Sequence, residues 1–298
     1  MTFNRNIEFW QVESGYEDLE NILRTFYQSR VANPGDRTKI LAPDAGSEMF
    51  YLHKFDNNSN YAEGMIVKQR MKDIPKKSRW SSNTLEDFTL ESDTGFAEST
   101  YFVYIPSIKV LALMPGRYGV KIGWFNEHMK KTVGVRNFKV SIILTKNAID
   151  RLDNLGVISA VTYAIKVANG YSSSSPMIKT RSVMEMLKSN GKYLTIRNEI
   201  RSPSKRGGGL KVGKVRGLVN TILGVRDTTE RTLEELRIKG SEDADQQESY
   251  IDILEEKFSV SVALESGYAL DYSECRNRVA PVILHQRNTL EGLLGDTQ

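Results

Sequence analysis

The chain has 298 residues, enough for two ordinary domains or one large one. Hydrophobic residues make up 40% and charged residues 26%, a globular mix that excludes wholesale disorder. Formal net charge is only +4, so any case for a polyanionic partner must come from where the charge lies.

The single cysteine, Cys275, cannot close an internal disulfide, which points to a reducing compartment and against a Cys/His zinc site. The first residues, MTFNRNIEFWQVESGYEDLENIL, lack a charged region followed by an apolar core, so no signal peptide is expected. Apolar runs such as Ile108 to Pro115 fall far short of the roughly 20 residues that span a bilayer. A cytoplasmic chain without direct membrane insertion is expected.

Leu19, Ile22, Leu23 and Phe26 predict a helix over Tyr16 to Val31, ended by Asn33-Pro34-Gly35. Strands follow at Lys39 to Leu41 and Glu48 to Phe55, and Asp56-Asn57-Asn58 turns the latter into a strand from Tyr61 to Arg70. Lys72 to Asn83 reads as an exposed basic loop. Leu85 to Leu90 leads to a turn at Ser92 to Gly95. Phe96 to Tyr104 and Ser107 to Leu113 form a second hairpin, ended by Met114-Pro115-Gly116. A helix starts near Val120 or Trp124.

The later part alternates. Phe138 to Leu144 is a strand, and Thr145 or Asn147 caps a helix bearing Ile149, Leu152 and Leu155, closed near Gly156. Val157 to Val167 is a β-branched strand. Gly170 to Pro176 is a loop, Met177 to Ser189 a helix with Val183, Met184 and Leu187 inward, and Tyr193 to Ile200 a strand. A helix over Val215 to Leu223 and a strand over Arg231 to Lys239 follow. The acidic Ser241 to Glu248 turns the chain into a returning strand over Tyr250 to Leu264. The last helix, Tyr272 to Leu294, kinks or restarts at Pro281. The pattern predicts an α+β fold of two domains: a hairpin-rich N-terminal part, residues 1–135, and a helix–strand alternating C-terminal part, residues 136–298. The boundary is expected near Val133 to Asn137.

The three histidines, His53, His128 and His285, stand alone, and no metal-ligand spacing, nucleophile elbow or Walker loop occurs. Neither catalytic residues nor metal ligands nor a cofactor are therefore expected. An E-x-K triplet, Glu255-Glu256-Lys257, with Asp252 nearby, leaves a metal-dependent nuclease as the alternative, though solvated strand-end charges explain the same residues. A protein-interaction module is the third reading.

The clearest functional signal is the acid-free stretch from Arg201 to Arg216, with Arg201, Lys205, Arg206, Lys211, Lys214 and Arg216 spaced by glycines. It lacks the order of a nucleotide loop, since Val215 follows Lys214. Flexible cations beside a helix start suit a phosphate backbone rather than base edges. Six such contacts predict that log K falls with log salt at a slope of roughly −5. Weaker basic clusters contribute Lys76, Lys77 and Arg79, next to Trp80, and Lys130 and Lys131, with Lys68, Arg70, Lys72, Arg136 and Lys139 around them. The competing explanation is that all are solvated charges neutralised by nearby acids.

Tyr51 to Phe55, Met65 to Gln69, Gly95-Phe96-Ala97, the unit Asn147 to Val167, and the paired strands Leu233 to Lys239 and Ile251 to Leu254 follow one another in an order that resembles the phage exclusion protein RexA family. KwaB-type anti-phage defence proteins are more distantly similar in kind. The resemblance covers most of the chain by layout and has no diagnostic motif. It implies a homodimeric, sequence-nonspecific double-stranded DNA binder in anti-phage defence, with a possible membrane-protein partner. It transfers no DNA-contacting residue, because the glycine-rich basic segment has no clear match in that family.

Overall fold

The computed structural model describes residues 2–13, 19–42, 48–71, 77–79, 84–87, 94–116, 118–135, 138–168, 193–202, 209–223, 231–243, 245–265 and 270–295. The fold is α+β, with antiparallel sheets. Where one boundary near Val133 to Asn137 was expected, the chain forms a discontinuous unit, Met1–Val140 with Ser259–Gln298, and a continuous one, Ser141–Phe258. Among the described residues no helix is long and apolar enough to cross a membrane.

The first unit is built on strands β1 (Phe3–Glu13), β2 (Glu48–Asn57), β3 (Ala62–Arg70), β6 (Phe96–Ile105), β7 (Val110–Pro115) and β13 (Ser259–Leu264), in the order β13-β1-β7-β6-β3-β2, with β8 (Lys139–Ile142) pairing β1. β1 was not expected as a strand. It is buried on both faces, with Ile7 and Phe9 on one side and Trp10 and Val12 on the other, so its alternation of polar and apolar residues changes phase between Phe9 and Trp10. The two expected hairpins are present. β2 pairs β3 with a bulge between Leu52 and Lys54, and β6 pairs β7 through a 3-10 turn at Pro106–Ile108. Gly64 is required on β3: a Cβ there would lie 2.5 Å from the Lys54 carbonyl oxygen and 2.6 Å from the Phe102 ring.

Helices α1 (Leu19–Ala32) and α2 (Ile122–His128) pack on this unit's sheet. The Trp124 ring stacks on Phe50 at 4.6 Å, and Phe125 meets Phe102 edge-on at 5.3 Å. Two expectations are corrected here. Lys39 to Leu41 is not a strand: Asp36 caps a 3-10 turn at Arg37–Lys39, leaving a single bridge from Leu41 to Phe50. Lys72 to Asn83 is not simply a loop: β4 (Lys77–Arg79) pairs with β5 (Thr84–Glu86). At the C-terminal end, α5 (Tyr272–His285) carries Pro281 inside it, and a separate α6 (Arg287–Gly295) begins after Gln286.

A buried carboxylate ties α5 to the sheet. Glu63 on β3 is 1% exposed. It accepts a hydrogen bond from the Tyr101 hydroxyl and faces Arg276 Nε at 3.0 Å, while the same guanidinium reaches Asp56 at 2.9 Å. Burial, followed by the Glu63 bond, pushes the Tyr101 hydroxyl well above its ordinary pKa, so Tyr101 remains a donor. A buried charge left alone is costly. Arg276→Met should therefore lower stability by about 2–3 kcal/mol, below the usual range for a buried pair because half of Arg276 reaches solvent. Adding Glu63→Gln should recover most of that loss in urea unfolding.

His128 ends α2 and enters a π-helical turn, Met129–Val133, closed by Gly134 at φ 90°. It is 2% exposed, lies 5.9 Å edge-on from the Phe26 ring, and neither ring nitrogen has a hydrogen-bond partner. Burial, with a smaller push from Arg30, lowers its pKa to about 3, so the folded protein holds it neutral. Between about pH 6.5 and pH 3 the unfolded chain binds a proton that the folded chain does not. Stability should accordingly fall on acidification by about 1.4 kcal/mol per pH unit within that window. Urea midpoints at neutral and mildly acidic pH will show it, and His128→Phe should flatten the slope.

The second unit holds a sheet in the order β10-β9-β11-β12, from β9 (Val157–Ala168), β10 (Tyr193–Arg201), β11 (Arg231–Ser241) and β12 (Ser249–Asp252). Helix α3 (Lys146–Asp153) precedes it, and of the two expected caps Thr145 is used, its hydroxyl accepting from the Ala148 N–H at 3.3 Å. The expected single strand from Tyr250 to Leu264 is corrected to β12, a turn and β13. Asp252 makes the turn by accepting the Leu254 N–H at 3.1 Å. The expected helix over Met177 to Ser189, with the loop before it, lies outside the described residues.

Candidate nucleic-acid interface

β9 carries the basic segment. Register sets Ala164 between Arg197 and Glu235, Thr162 between Glu199 and Arg237, and Ala160 between Arg201 and Lys239. The central residues are small and buried. Long charged side chains on the flanking strands can therefore close over them: Arg197 reaches Glu235 at 2.9 Å, and Arg237 reaches both Glu235 at 3.2 Å and Asp252 at 2.9 Å. Lys239 pairs with Glu248 at 2.8 Å, a bond that is the main cause of its raised pKa. The face is a mixed-sign lattice rather than a field of one sign.

At the end of β10 the chain leaves this lattice and comes back to the same place. The Ser202 N–H donates to the Ser159 carbonyl at 2.8 Å, and the Leu210 N–H donates to the Ile158 carbonyl at 2.8 Å. Both ends of the segment are thus pinned to neighbouring residues of β9. Gly209 makes the return possible. Its φ is +64°, and a Cβ there would lie 2.7 Å from the Ile158 carbonyl oxygen.

Helix α4 (Val212–Leu223) follows at once, with Val215, Val219 and Ile222 buried. It begins at Val212, not at Val215 as expected, so Lys214 belongs to its first turn. Gly213, read as part of the loop, is a helical residue with open space around it. Arg216 pairs with Asp153 at the end of α3.

The expected contact residues divide accordingly. Arg201 is bonded to Glu199 at 2.9 Å, which raises the arginine's pKa and lowers the glutamate's. Arg216 is bonded to Asp153. Lys211 and Lys214 are exposed and form no ion pair among the described residues. Lys205 and Arg206 lie outside the described residues, as does Lys76. Lys77 and Arg79 sit on β4, opposite Glu86 and Thr84 in register. Lys130 and Lys131 are exposed on the π-helical turn, and Lys131 pairs with Glu127. Lys68 and Arg70 are held by Glu48 and Glu98 at 2.9 and 3.1 Å. The structure therefore gathers Arg201, Lys211, Lys214 and Arg216 in the second unit, while the β4 and π-turn residues belong to the first.

The residues of the nuclease alternative lie on and after the turn that ends β12. Both oxygens of Asp252 are committed, Oδ2 to Arg237 Nε at 2.9 Å and Oδ1 to the Leu254 N–H. Glu256 accepts from Arg151 at 2.7 Å and from Thr145 at 3.2 Å. Among the described residues no three metal-capable side chains converge. No protein-family model matches the chain, and no curated protein matches it in sequence.

Sequence reasoning did not single out Asp153, Glu199, Ser202 or Gly209 within the run of glycines. Glu199 stands two residues from Arg201 on one strand, a spacing that places both on one face and was the available signal. Gly209→Ala should lower stability by about 1–3 kcal/mol, from the positive φ together with the close Ile158 carbonyl. Gly213→Ala, at an open helical position, should raise it by up to about 1 kcal/mol. Chemical denaturation of the two variants gives opposite signs if the backbone path is as described.

Proposed function

We propose that the second unit binds the phosphate backbone of double-stranded DNA, without reading sequence and without catalysis, at the start of α4. One observation carries this reading. Lys211 and Lys214 have no ion-pair partner among the described residues and stand at a helix N-terminus whose first turn contains no acid. The helix dipole disfavours cations there and favours anions, so two lysines in that place oppose stability. A phosphate group resolves the conflict, accepting from the free N–H groups of the first turn and from both ammonium groups. Lys205 and Arg206 add charge from the preceding residues.

With Arg201 and Arg216 held by carboxylates, four cations of the segment remain for phosphate rather than six. Their flexible, point-charge chemistry positions a backbone and does not discriminate bases. The wider setting, a homodimer in anti-phage defence beside a membrane-protein partner, rests on the resemblance to the phage exclusion family alone, and a cytoplasmic location rests on the single cysteine and the short apolar runs.

Gel-shift titrations on two duplexes of unrelated sequence should give equal affinities and a slope of log K against log salt of about −4. The double variant Lys211→Glu, Lys214→Glu should lose binding while gaining several tenths of a kcal/mol of stability, because acids suit a helix start. No retardation at low salt, or unchanged binding by the double variant, would remove the proposal. A partner protein that binds the segment while DNA does not would replace it with the protein-interaction reading.

A further inference from the structure

The first unit contains two further cations without a counter-ion among the described residues, Arg30 half-buried and Lys54 exposed. Arg30, in the last turn of α1, forms no ion pair among the described residues, and its Nε is buried without a hydrogen-bond partner. Its guanidinium lies 4.3 Å from the centroid of the Tyr51 ring. Burial is the main influence on its pKa and lowers it, and no carboxylate acts in the other direction. Arginine is seldom left in that state, because its fork of donors matches carboxylate and phosphate oxygens.

Further along β2, Lys54 likewise has no ion-pair partner among the described residues. Burial and the charges of Lys54 and Arg30 together lower the pKa of His53, which is thus neutral at pH 7. Tyr51, His53 and Lys54 line a cleft of about 460 Å³, with Ser99 of β6 and Tyr272 at the head of α5 also on its walls. The Tyr272 hydroxyl is buried and has no hydrogen-bond partner among the described residues. Asp271, also on the wall, is occupied, its Oδ1 accepting the Glu274 N–H at 2.8 Å. The cleft is far larger than an inorganic anion needs and falls in the size range of small-ligand sites.

We propose that this cleft binds a small organic phosphate that carries a planar ring, of mononucleotide size. Lys54 takes the phosphate, with Arg30 adding field from behind Tyr51. The Tyr51 ring, already bearing a guanidinium on one face, and Tyr272 flank the base. The Tyr272 and Ser99 hydroxyls bond its polar edge. This site is separate from the DNA-binding proposal and stands whether or not that proposal holds.

Calorimetry on the full chain with AMP and UMP tests it, with adenosine, ribose 5-phosphate and inorganic phosphate as partial probes. Saturable binding of a nucleotide, about tenfold or more tighter than any partial probe, is the expected result. Lys54→Gln and Arg30→Gln should each weaken it about tenfold, and Tyr272→Phe by a smaller factor. The Lys211→Glu, Lys214→Glu variant should bind the nucleotide unchanged, which separates this cleft from the helix start in the second unit. Absence of saturable binding at millimolar concentration would overturn the proposal. So would equal affinity for inorganic phosphate, or full retention of binding by folded Lys54→Gln and Arg30→Gln proteins.

Discussion

The second unit depends on the narrowness of one strand. β9 presents Ala160, Thr162 and Ala164 to the charged face, and this low ridge lets Arg197 close on Glu235 across it. Bulkier residues at those three positions would hold the flanking strands' side chains apart and leave acids and bases without partners. The other end of the same strand holds Ser202 and Leu210 by their backbone N–H groups. One element therefore neutralises most of the local charge and positions the few cations that escape neutralisation. The first role follows from side-chain size and the second from the backbone carbonyls of Ile158 and Ser159.

Charge distribution, rather than charge total, separates the surfaces of this protein. The basic residues of β10 and β11 are matched at close range by acids on the same or neighbouring strands. Pairs of this kind, largely solvent-exposed, contribute little to stability, but they cancel the field a polyanion would feel. Lys211 and Lys214 differ because a helix start supplies partial positive charge where an acid would otherwise be placed. Arg30 differs again, being partly withdrawn from water and without a counter-ion among the described residues. A single net charge of +4 conceals all three situations.

Local chemistry was legible in the sequence, and partner choice was not. The hairpins could be read because Asp56-Asn57-Asn58 turns the first and Met114-Pro115-Gly116 ends the second, and α3 because Thr145 caps it. β1 escaped notice since Phe9 and Trp10 are both buried and shift the phase of the alternation that marks a strand. The run from Ile251 to Val262 carries apolar residues on both sides of Glu255-Glu256-Lys257, and nothing in its composition told that its two ends pair with β11 and with β1. At the candidate site, the cationic residues and the helix could be found directly. Which cations are already satisfied could not, because Asp153 meets Arg216 only through the packing of α3 and α4.

The pairing of β1 with β13 sets Phe3 opposite Leu264, far apart in sequence. On the ribosome, the second unit has all four of its strands in hand before β13 is made. The first unit must wait. Until residues 259–285 emerge, β1 has β7 but lacks β13, and Glu63 lacks the arginine of α5 that neutralises it. A nascent chain thus carries an incomplete sheet with a buried acid unmet for most of its synthesis, the condition in which sheet edges recruit the wrong strand. Truncation from the C-terminus would leave every copy in that condition permanently.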